Sequence, residues 1–384
     1  MSFELKKYNF SEAGKGIPEF SKLSAADQHR IVYAGMNVDA HGRSGSFMHV
    51  NHSDVRCCSF QEGLELLDIK TALQRYDGLP QYYWKLLDPS QDEIARSAAE
   101  NLHGGYFIRA RTGAKIAMPV QSCLFIQGSG VGQNIHNLIV VEEGAELHII
   151  SGCATAEGTK EAAHIGFSEF YVQRGGKLTF TMIHNWGESV AVRPRSAGII
   201  AEDSSFVSNY VLLQKVQDLK MYPSIALEGK NAVARFNSVI LAPAGSLVDT
   251  GNRLLLNAPD TRGEIIARTL TSGGTIINRG YIGGNAERAK GHLECKGLIL
   301  GEGRIHAIPE LDATVDGVEL SHEAAVGKIA QEEIEYLMAR GLDEEEATST
   351  IVRGFLNVEI MGLPEELQKA IHDEINRLDT NKAL

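Results

Sequence analysis

The sequence predicts a mainly β protein with three parts: an N-terminal mixed and helical region over residues 1–104, a β-solenoid core over 105–320, and a C-terminal helical domain over 321–384. Two observations predict the core: short strand-like runs recur through the middle of the chain, and that stretch has little helical periodicity. A third, apolar residues at helix spacing near the end of the chain, predicts the C-terminal domain. A chain of 384 residues is long for one compact core, whereas a solenoid grows coil by coil.

The runs in the core share one pattern, in which an apolar strand leads through a Gly-rich or acidic turn into an alternating strand. They lie at 138–150, 170–183, 198–213, 225–236 and 239–249. A doubly wound fold would need helices between its strands and is therefore disfavoured. The residues alone leave two all-β folds open, an antiparallel sandwich and a stacked solenoid. The recurring unit favours the solenoid, because each coil can bury its apolar face against the next.

The N-terminal region reads as mostly helical. Ser24 precedes a helical pattern and is a candidate N-cap. Further helices are predicted around 63–75 and 91–101. The segment 76–87 between them is rich in aromatic residues. We expect it to pack this region against the core.

The end of the chain has three helical patterns. One covers 327–340, where Gly341 ends it, and a second covers 344–355, where Asp343 can cap it. A third covers 365–378 after a proline. Three amphipathic helices beside a solenoid predict a docking module or a cap.

Composition and charge exclude several classes of function. The net charge is −12 and no long basic block offsets it, so we expect no nucleic-acid partner. No apolar run approaches the roughly 20 residues of a membrane helix. The first residues lack the apolar core of a signal peptide. We therefore expect a cytoplasmic protein that does not bind membranes.

The cysteines do not form a recognisable framework. The chain has five, Cys57, Cys58, Cys123, Cys153 and Cys295, which is an odd number. A cytoplasmic chain would keep them reduced. No Cys-x-x-Cys pair occurs, which argues against a closed zinc site or an all-cysteine cluster within one chain.

The sequence also lacks common enzyme motifs, so we expect a protein that is not itself an enzyme. The glycine-rich stretch 128–132 lacks the Lys-Ser/Thr of a phosphate-binding loop. A solenoid enzyme acting on polysaccharide would need acidic and basic residues along one groove. The nearest candidates are Arg193, Arg195, Glu202 and Asp203, which are more simply read as turn residues.

Candidate metal ligands gather late in the chain. Cys295 and His306 fall on the last predicted strands, and His322 and Glu323 come just before the helices. Thiolate, imidazole and carboxylate are all iron ligands. Taken alone, however, one cysteine and one histidine are more typical of a buried core residue and a turn or helix cap than of a metal site.

Several segments resemble the SufB/SufD family, the scaffold of the SUF iron–sulfur assembly machinery, and the resemblance spans roughly residues 70–356. The segments are Gln-Arg-Tyr-Asp-Gly-Leu-Pro-Gln-Tyr-Tyr-Trp at 74–84, Gly-Tyr-Phe-Ile-Arg-Ala-Arg-Thr-Gly at 105–113, Glu-Gly-Ala-Glu-Leu-His-Ile-Ile-Ser-Gly-Cys at 143–153, His-Asn-Trp at 184–186, Leu-Glu-Cys-Lys-Gly at 293–297 and the run from His-Glu-Ala at 322 to Arg-Gly-Phe at 355.

The resemblance implies a right-handed parallel β-helix and a scaffold function. Such a subunit assembles a labile iron–sulfur cluster at a dimer interface and passes it to apo-proteins. Its implied partners are a SufC-like ABC ATPase, which would bind the C-terminal helices, a second subunit (a copy of itself or a SufB- or SufD-like chain), and a sulfur-donor protein or sulfide. A SufD-like adaptor that carries no cluster is the alternative.

The resemblance also implies roles for single residues. Cys295 is similar to the essential core cysteine of the family, and His322 and Glu323 to the residues that face it across the dimer interface. Cys153 is similar to a mid-solenoid cysteine linked to sulfur handling. His184 stands where the family usually has Gln. Cys57 lies with its neighbour outside the matched region, and we read that pair as structural.

One chain offers one convincing ligand cysteine, whereas a stable cluster needs about four strong protein ligands. Two chains related by a twofold axis would offer two copies of Cys295, with His322 or Glu323 completing the set. Carboxylates bind this iron more weakly than thiolates. We therefore expect a cluster that is held loosely and released.

Overall fold

The computed structural model describes residues 3–11, 23–36 and 42–356. Across these ranges the protein is mostly β, with a solenoid of about eight turns and a few helices. The third helix predicted at the end of the chain, 365–378, lies outside the described residues. No helix in the described ranges combines the length and apolar character needed to cross a bilayer.

Two sheets form the walls of the solenoid. The ten-stranded sheet runs in the order β2 (Ser53–Ser59), β1 (Gly45–Val50), β5 (Val120–Ile126), β7 (Glu146–Thr155), β9 (Lys177–Asn185), β12 (Ser205–Leu212), β15 (Val233–Pro243), β17 (Arg262–Ser272), β19 (Lys290–Ile299) and β21 (Glu319–Gly327).

The eleven-stranded sheet begins with β3 (Leu64–Asp68), β4 (Tyr106–Ala110), β6 (Gly132–Val141), β8 (Ala162–Val172), β11 (Arg195–Ile200), β14 (Ser224–Leu227) and β16 (Leu247–Leu256). It continues through β18 (Thr275–Gly284) to β20 (Arg304–Ala313), and two short strands, β10 (Val190–Val192) and β13 (Asp218–Met221), link β8 to β16. From β4 onward the pairing between successive coils is parallel, so the solenoid prediction is confirmed and the sandwich is wrong.

Each coil is 27 to 31 residues long, and hydrogen bonds between equivalent side chains of neighbouring coils have spacings in the same range. One corner turn repeats a left-handed residue in successive coils, at Gly144, Gly175, Asp203, Asn231 and Asp260. Gly, Asn and Asp are the residues that adopt this conformation at least cost. The variable coil length explains why the period drifts in the sequence.

The core lies inside the solenoid, where strand residues that point inward stack from coil to coil. Phe170 and Phe180 are in edge-to-face contact at 4.9 Å, and Phe206 and Phe236 follow them at 5.9 Å. Burial of each phenylalanine contributes roughly 2–3 kcal/mol. The alternation of inward and outward residues fixes the strand register, because a slip of one residue would turn these rings to solvent.

Five helices accompany the sheets in the described residues: α1 (Ala25–Tyr33), α2 (Ile69–Arg75), α3 (Glu93–Glu100), α4 (Gln331–Met338) and α5 (Glu344–Leu356). The predicted cap of α1 is confirmed, since the Ser24 side chain accepts a hydrogen bond from the Asp27 amide. Tyr33 of α1 and Val352 of α5 contribute to one apolar cluster on the outer face of the ten-stranded sheet.

The aromatic segment after α2 packs against the core as expected. Buried Glu169 accepts hydrogen bonds from the backbone amides of Trp84, Lys85 and Leu86, and from the His136 ring at 2.8 Å. A buried carboxylate with four donors has its charge compensated. This contact fixes the segment to the wall of the solenoid.

Two expectations about boundaries need correction. The helix predicted at 63–75 is a strand followed by a helix, because Leu64 and Leu66 alternate into the core before Asp68 caps α2. The N-terminal region also holds β1 and β2, which extend the ten-stranded sheet. At the other end the final strand runs to Gly327, past the boundary expected at residue 320.

Candidate functional site

Cys295 lies on β19, in the next-to-last coil, and its side chain points into the solenoid. It is 1% exposed and belongs to the interior cluster with Leu293. Its neighbours in register are Ala267 on β17 and Ala324 on β21. Only one strand, β21, separates the sulfur from the end of the sheet.

The Cys295 thiol is protonated at neutral pH in the isolated chain. Burial raises its pKa to about 11, the nearby Glu294 charge adds to the rise, and a hydrogen bond with Asn278 offsets part of it. Thiolate is the form that binds metal. Binding of iron at Cys295 therefore has to displace a proton.

His322 and Glu323 are both on the last strand, β21, but they point to opposite faces of the sheet. His322 is in register with Leu293 and so shares the inner face of Cys295. Glu323 is in register with Glu294 on the outer face. Within one chain, the structure places His322 on the side of the thiol and Glu323 on the other side.

The C-terminal end of the solenoid is open. Among the described residues, β20 pairs only with β18 and β21 only with β19, so each has a free edge. The inner face of this last coil carries partly or fully exposed apolar side chains, including Ile305, Leu311, Leu320 and Val326. We call these four residues the mouth. Cys295 lies one coil behind it.

The outer face beside Cys295 carries a charged group that the sequence analysis did not single out. His292 and Glu294 of β19 lie beside Glu323, with potential ligand atoms within 4.8 Å of one another. Lys296 Nζ lies 3.2 Å from Glu294 and 3.1 Å from Glu323, and Arg268 also pairs with Glu294. The spacing His-x-Glu-x-Lys on one strand was the available signal, because alternate strand residues share a face.

Cys153 and His184 meet inside the solenoid. They are in register on β7 and β9, and both are buried. His184 Nδ1 lies 2.9 Å from the Tyr210 hydroxyl. Burial raises the pKa of Cys153 well above its usual value, with a further rise from Cys123, and lowers that of His184 well below its usual value. Both groups are therefore neutral at pH 7.

The structure does not bring the two interior cysteines together. Five strand-to-strand steps separate β7 from β19 in the sheet. At about 4.8 Å a step, Cys153 and Cys295 are on the order of 24 Å apart. A cavity of about 20 Å³, lined in part by Met182 and Tyr210, lies in the interior between them. That volume holds about one water molecule.

The residues of the polysaccharide-enzyme alternative have separate structural partners. Arg193 pairs with Asp218 at 2.5 Å, and Arg195 pairs with Asp92 at 2.6 Å. Asp203 occupies the left-handed corner turn and accepts a hydrogen bond from the next coil. These contacts account for the charges of Arg193, Arg195 and Asp203, while Glu202 is exposed to solvent.

Comparison with known proteins agrees with the arrangement of the core. The family described as "SUF system FeS cluster assembly, SufBD core domain" matches residues 124–355. A protein of Archaeoglobus fulgidus named as an iron–sulfur cluster assembly SufBD family protein is 49% identical, over 94% of this chain and 97% of its own length.

More distant relatives carry related names. A SufBD family protein of Methanothermobacter thermautotrophicus is 39% identical, over 95% of this chain and 91% of its own length. The iron–sulfur cluster assembly protein SufB of Bacillus subtilis is 30% identical, over 94% of this chain and 76% of its own length. The resemblance read from the sequence motifs is thereby confirmed: this chain belongs to the SufBD family of the SUF system for iron–sulfur cluster assembly.

Proposed function

We propose that this protein is a scaffold subunit, without enzyme activity of its own, that assembles a labile iron–sulfur cluster between two chains and transfers it to apo-proteins. One observation carries the proposal: Cys295 lies on the inner face of the sheet, one coil behind an open end. If the two edge strands pair, this thiol and its counterpart are three strand steps apart, on the order of 14 Å, so the last strands have to part before both thiols bind one cluster.

The open end favours association with a second chain. Free strand edges can extend a sheet into a partner, and exposed apolar side chains gain by burial. The partner is a second copy of this chain or a SufB- or SufD-like subunit. In a twofold pair, each Cys295 would have its counterpart across the axis, with His322 on the same face as the thiol.

Such a pair would hold a cluster weakly. Two thiolates are fewer than the four of a stable cluster, and the imidazole of His322 completes the set only in part. Glu323 is the proposed carboxylate ligand from across the interface; because it points to the outer face, it can reach the cluster only once the edge strand β21 parts from β19. Carboxylates bind soft iron centres less strongly than thiolates, which suits release to an apo-protein.

The proposed partners supply what this chain lacks. A SufC-like ABC ATPase would dock on the C-terminal helices, where Tyr336 and Met338 are exposed on α4. Its closure would strain the joined ends and open access to Cys295. Cys153, with His184 beside it, would accept the outer sulfur of a donor protein's cysteine persulfide, which releases the donor cysteine as a thiol. All these steps would take place in the cytoplasm.

The test is reconstitution of the purified protein with iron and sulfide under anaerobic conditions. The wild type should gain the brown absorbance of a cluster, with iron and acid-labile sulfide in equal amounts. Cys295→Ala should lose both. Cys123→Ala is the matched control, because Cys123 is also a fully buried cysteine but lies under α1, far from the open end. A cluster that persists in Cys295→Ala would refute the proposal.

The SufD-like adaptor has one observation in its favour, the protonated and buried state of Cys295 in the single chain. A structural cysteine would have the same state. The adaptor would bind the ATPase yet contain no iron after anaerobic purification together with it. Iron and sulfide content of that complex therefore separates the two functions.

A further inference from the structure

We propose that the outer face of the last two strands holds a single Fe²⁺ ion, with His292, Glu294 and Glu323 as ligands. This site is on the face of the sheet opposite the Cys295 thiol. The inference rests on the proposed function only for the choice of iron as the metal. It would supply iron to the open end before a cluster forms.

The geometry of the three side chains carries this inference. His292 and Glu294 are two residues apart on β19, and Glu323 is the register partner of Glu294 on β21. Their potential ligand atoms lie within 4.8 Å of one another. Two atoms that each bind one ion at about 2.1 Å are at most about 4.2 Å apart. Small side-chain rotations would therefore complete the site without backbone movement.

A hydrogen bond holds the ring of His292 in place. Its Nδ1 lies 2.9 Å from the Ser321 hydroxyl, which is on the neighbouring strand. Histidines that bind metals commonly donate their second ring nitrogen to an oxygen in this way, which fixes the tautomer and the ring. With Nδ1 donating to Ser321, the Nε2 lone pair remains for the ion.

Two cationic side chains, Lys296 and Arg268, already compensate the two carboxylates, and Lys296 is the one that would compete with an ion for this position. Lys296 places its ammonium between Glu294 and Glu323, at 3.2 and 3.1 Å. Arg268 holds the other oxygen of Glu294 and remains in place when the lysine leaves. A divalent ion would displace Lys296, which can swing to solvent.

Ligand chemistry and position suit iron on its way to a cluster. One imidazole and two carboxylates are ligands of divalent iron, and they leave coordination positions open. Competition from Lys296 keeps the binding weak, so the ion can leave. Glu323 belongs to the edge strand, so the ion would lie beside the open end and across the sheet from Cys295.

The test measures metal binding in a full-length Cys295→Ser protein, which removes the thiol from the titration. Anaerobic Fe²⁺ is titrated by calorimetry, and Co²⁺ serves as a coloured probe of histidine ligation. We expect one ion per chain. His292→Ala should weaken binding at least tenfold, and Lys296→Met should strengthen it about tenfold because the competing cation is gone. Glu146→Gln is the control and should change nothing, because Glu146 is also a lysine-paired carboxylate on the outer face of this sheet but lies on β7, five strand steps from β19.

Two results would overturn the site. One is an Fe²⁺ affinity that does not change in His292→Ala, either in the protein with Lys296 or in the Lys296→Met variant. That result would mean that the carboxylates attract the ion without a defined site. The other is no stoichiometric binding in Lys296→Met. Both sites use Glu323, but neither result decides the cluster test, because that test compares the wild type with Cys295→Ala. Conversely, a protein that binds Fe²⁺ here but never gains a cluster would refute the scaffold function and keep the ion site.

Discussion

The two ends of the solenoid are finished in different ways. At the N-terminal end, β2 pairs with β1 and β3 pairs with β4 in antiparallel fashion, and side chains of these strands that point inward, such as Phe47 and Leu66, are buried. At the C-terminal end, β20 and β21 continue the parallel coils, ten and nine residues long, and most of their side chains are exposed. The coils are otherwise alike.

The difference shows how a solenoid can disfavour association with another chain at one end and favour it at the other. The N-terminal edge strand β2 has charged residues Asp54 and Arg56, and its pairing with β1 is interrupted by a bulge near His49. Charges and bulges are ordinary means of protecting a sheet edge from pairing. The C-terminal edge has regular pairing and an apolar inner face, so it is the end at which a second chain would join.

The largest expected effect comes from a charge placed in the mouth. Val326→Asp should weaken the dimer by about 1,000-fold, because each joined end would bury an unpaired carboxylate. Val233→Asp is the control, since Val233 is 40% exposed and Val326 41%, but Val233 lies mid-solenoid. Light scattering after size exclusion measures both. A dimer that survives Val326→Asp and dissociates in Val233→Asp would reverse the account of the two ends.

A second prediction compares the stability of the two ends. Leu66→Ala at the N-terminal end should lower the free energy of unfolding by about 2–5 kcal/mol, because removal of a buried side chain leaves a cavity. Leu320→Ala in the mouth should cost about 1 kcal/mol or less, because Leu320 is only partly buried in the single chain. Urea unfolding in the Val326→Asp background keeps dimerisation out of the comparison. Equal losses of unfolding free energy in the two variants would mean that the open end is as well packed as the N-terminal end.

The fold was largely predictable from local patterns, whereas the pairing of distant residues was not. The strand–turn–strand unit predicted the solenoid, and Ser24 and Asp343 identified helix starts that the structure bears out. Strands β1 and β2 were missed, because their apolar alternation is short and interrupted by polar residues. Helix spacing in 63–75 concealed the strand at its start.

The site was predictable only in part for the same reason. Cys295, His322 and Glu323 could be found from motifs, but the faces to which they point depend on a register that changes with coil length. Glu294 and Glu323 are 29 residues apart and meet because that coil has 29 residues. A coil of 28 residues would have paired Glu294 with His322 instead. Sequence alone does not fix that number.

A third prediction concerns the ionisation of Cys295. Because its pKa is about 11, its rate of alkylation by iodoacetamide in the native protein should rise about tenfold per pH unit between pH 7 and 10. The unfolded chain, with a thiol pKa near 8.5, should level off earlier. The unfolded chain also ionises first, so this group lowers native stability as the pH rises from about 8.5 towards 11. Mass spectrometry of the Cys295 peptide measures the rate; a plateau at pH 8 in the native protein would contradict the burial of the thiol.

The smallest effect on stability and cluster content is expected from a substitution at the N-terminal end. Cys57→Ser should change the free energy of unfolding by less than about 0.5 kcal/mol and leave cluster content unaltered, since Cys57 is exposed on the protected edge strand. Urea unfolding and iron analysis check the two parts. A loss of cluster in Cys57→Ser would show that the N-terminal end takes part in the chemistry.

The most direct test of the central claim asks whether cluster assembly requires association through the open end. The Val326→Asp protein keeps Cys295 intact but should be monomeric. Its iron and acid-labile sulfide after reconstitution should fall to less than about a tenth of the wild-type content, while Val233→Asp keeps the full amount. A monomeric Val326→Asp protein that holds as much cluster as the wild type would contradict assembly of the cluster between two chains.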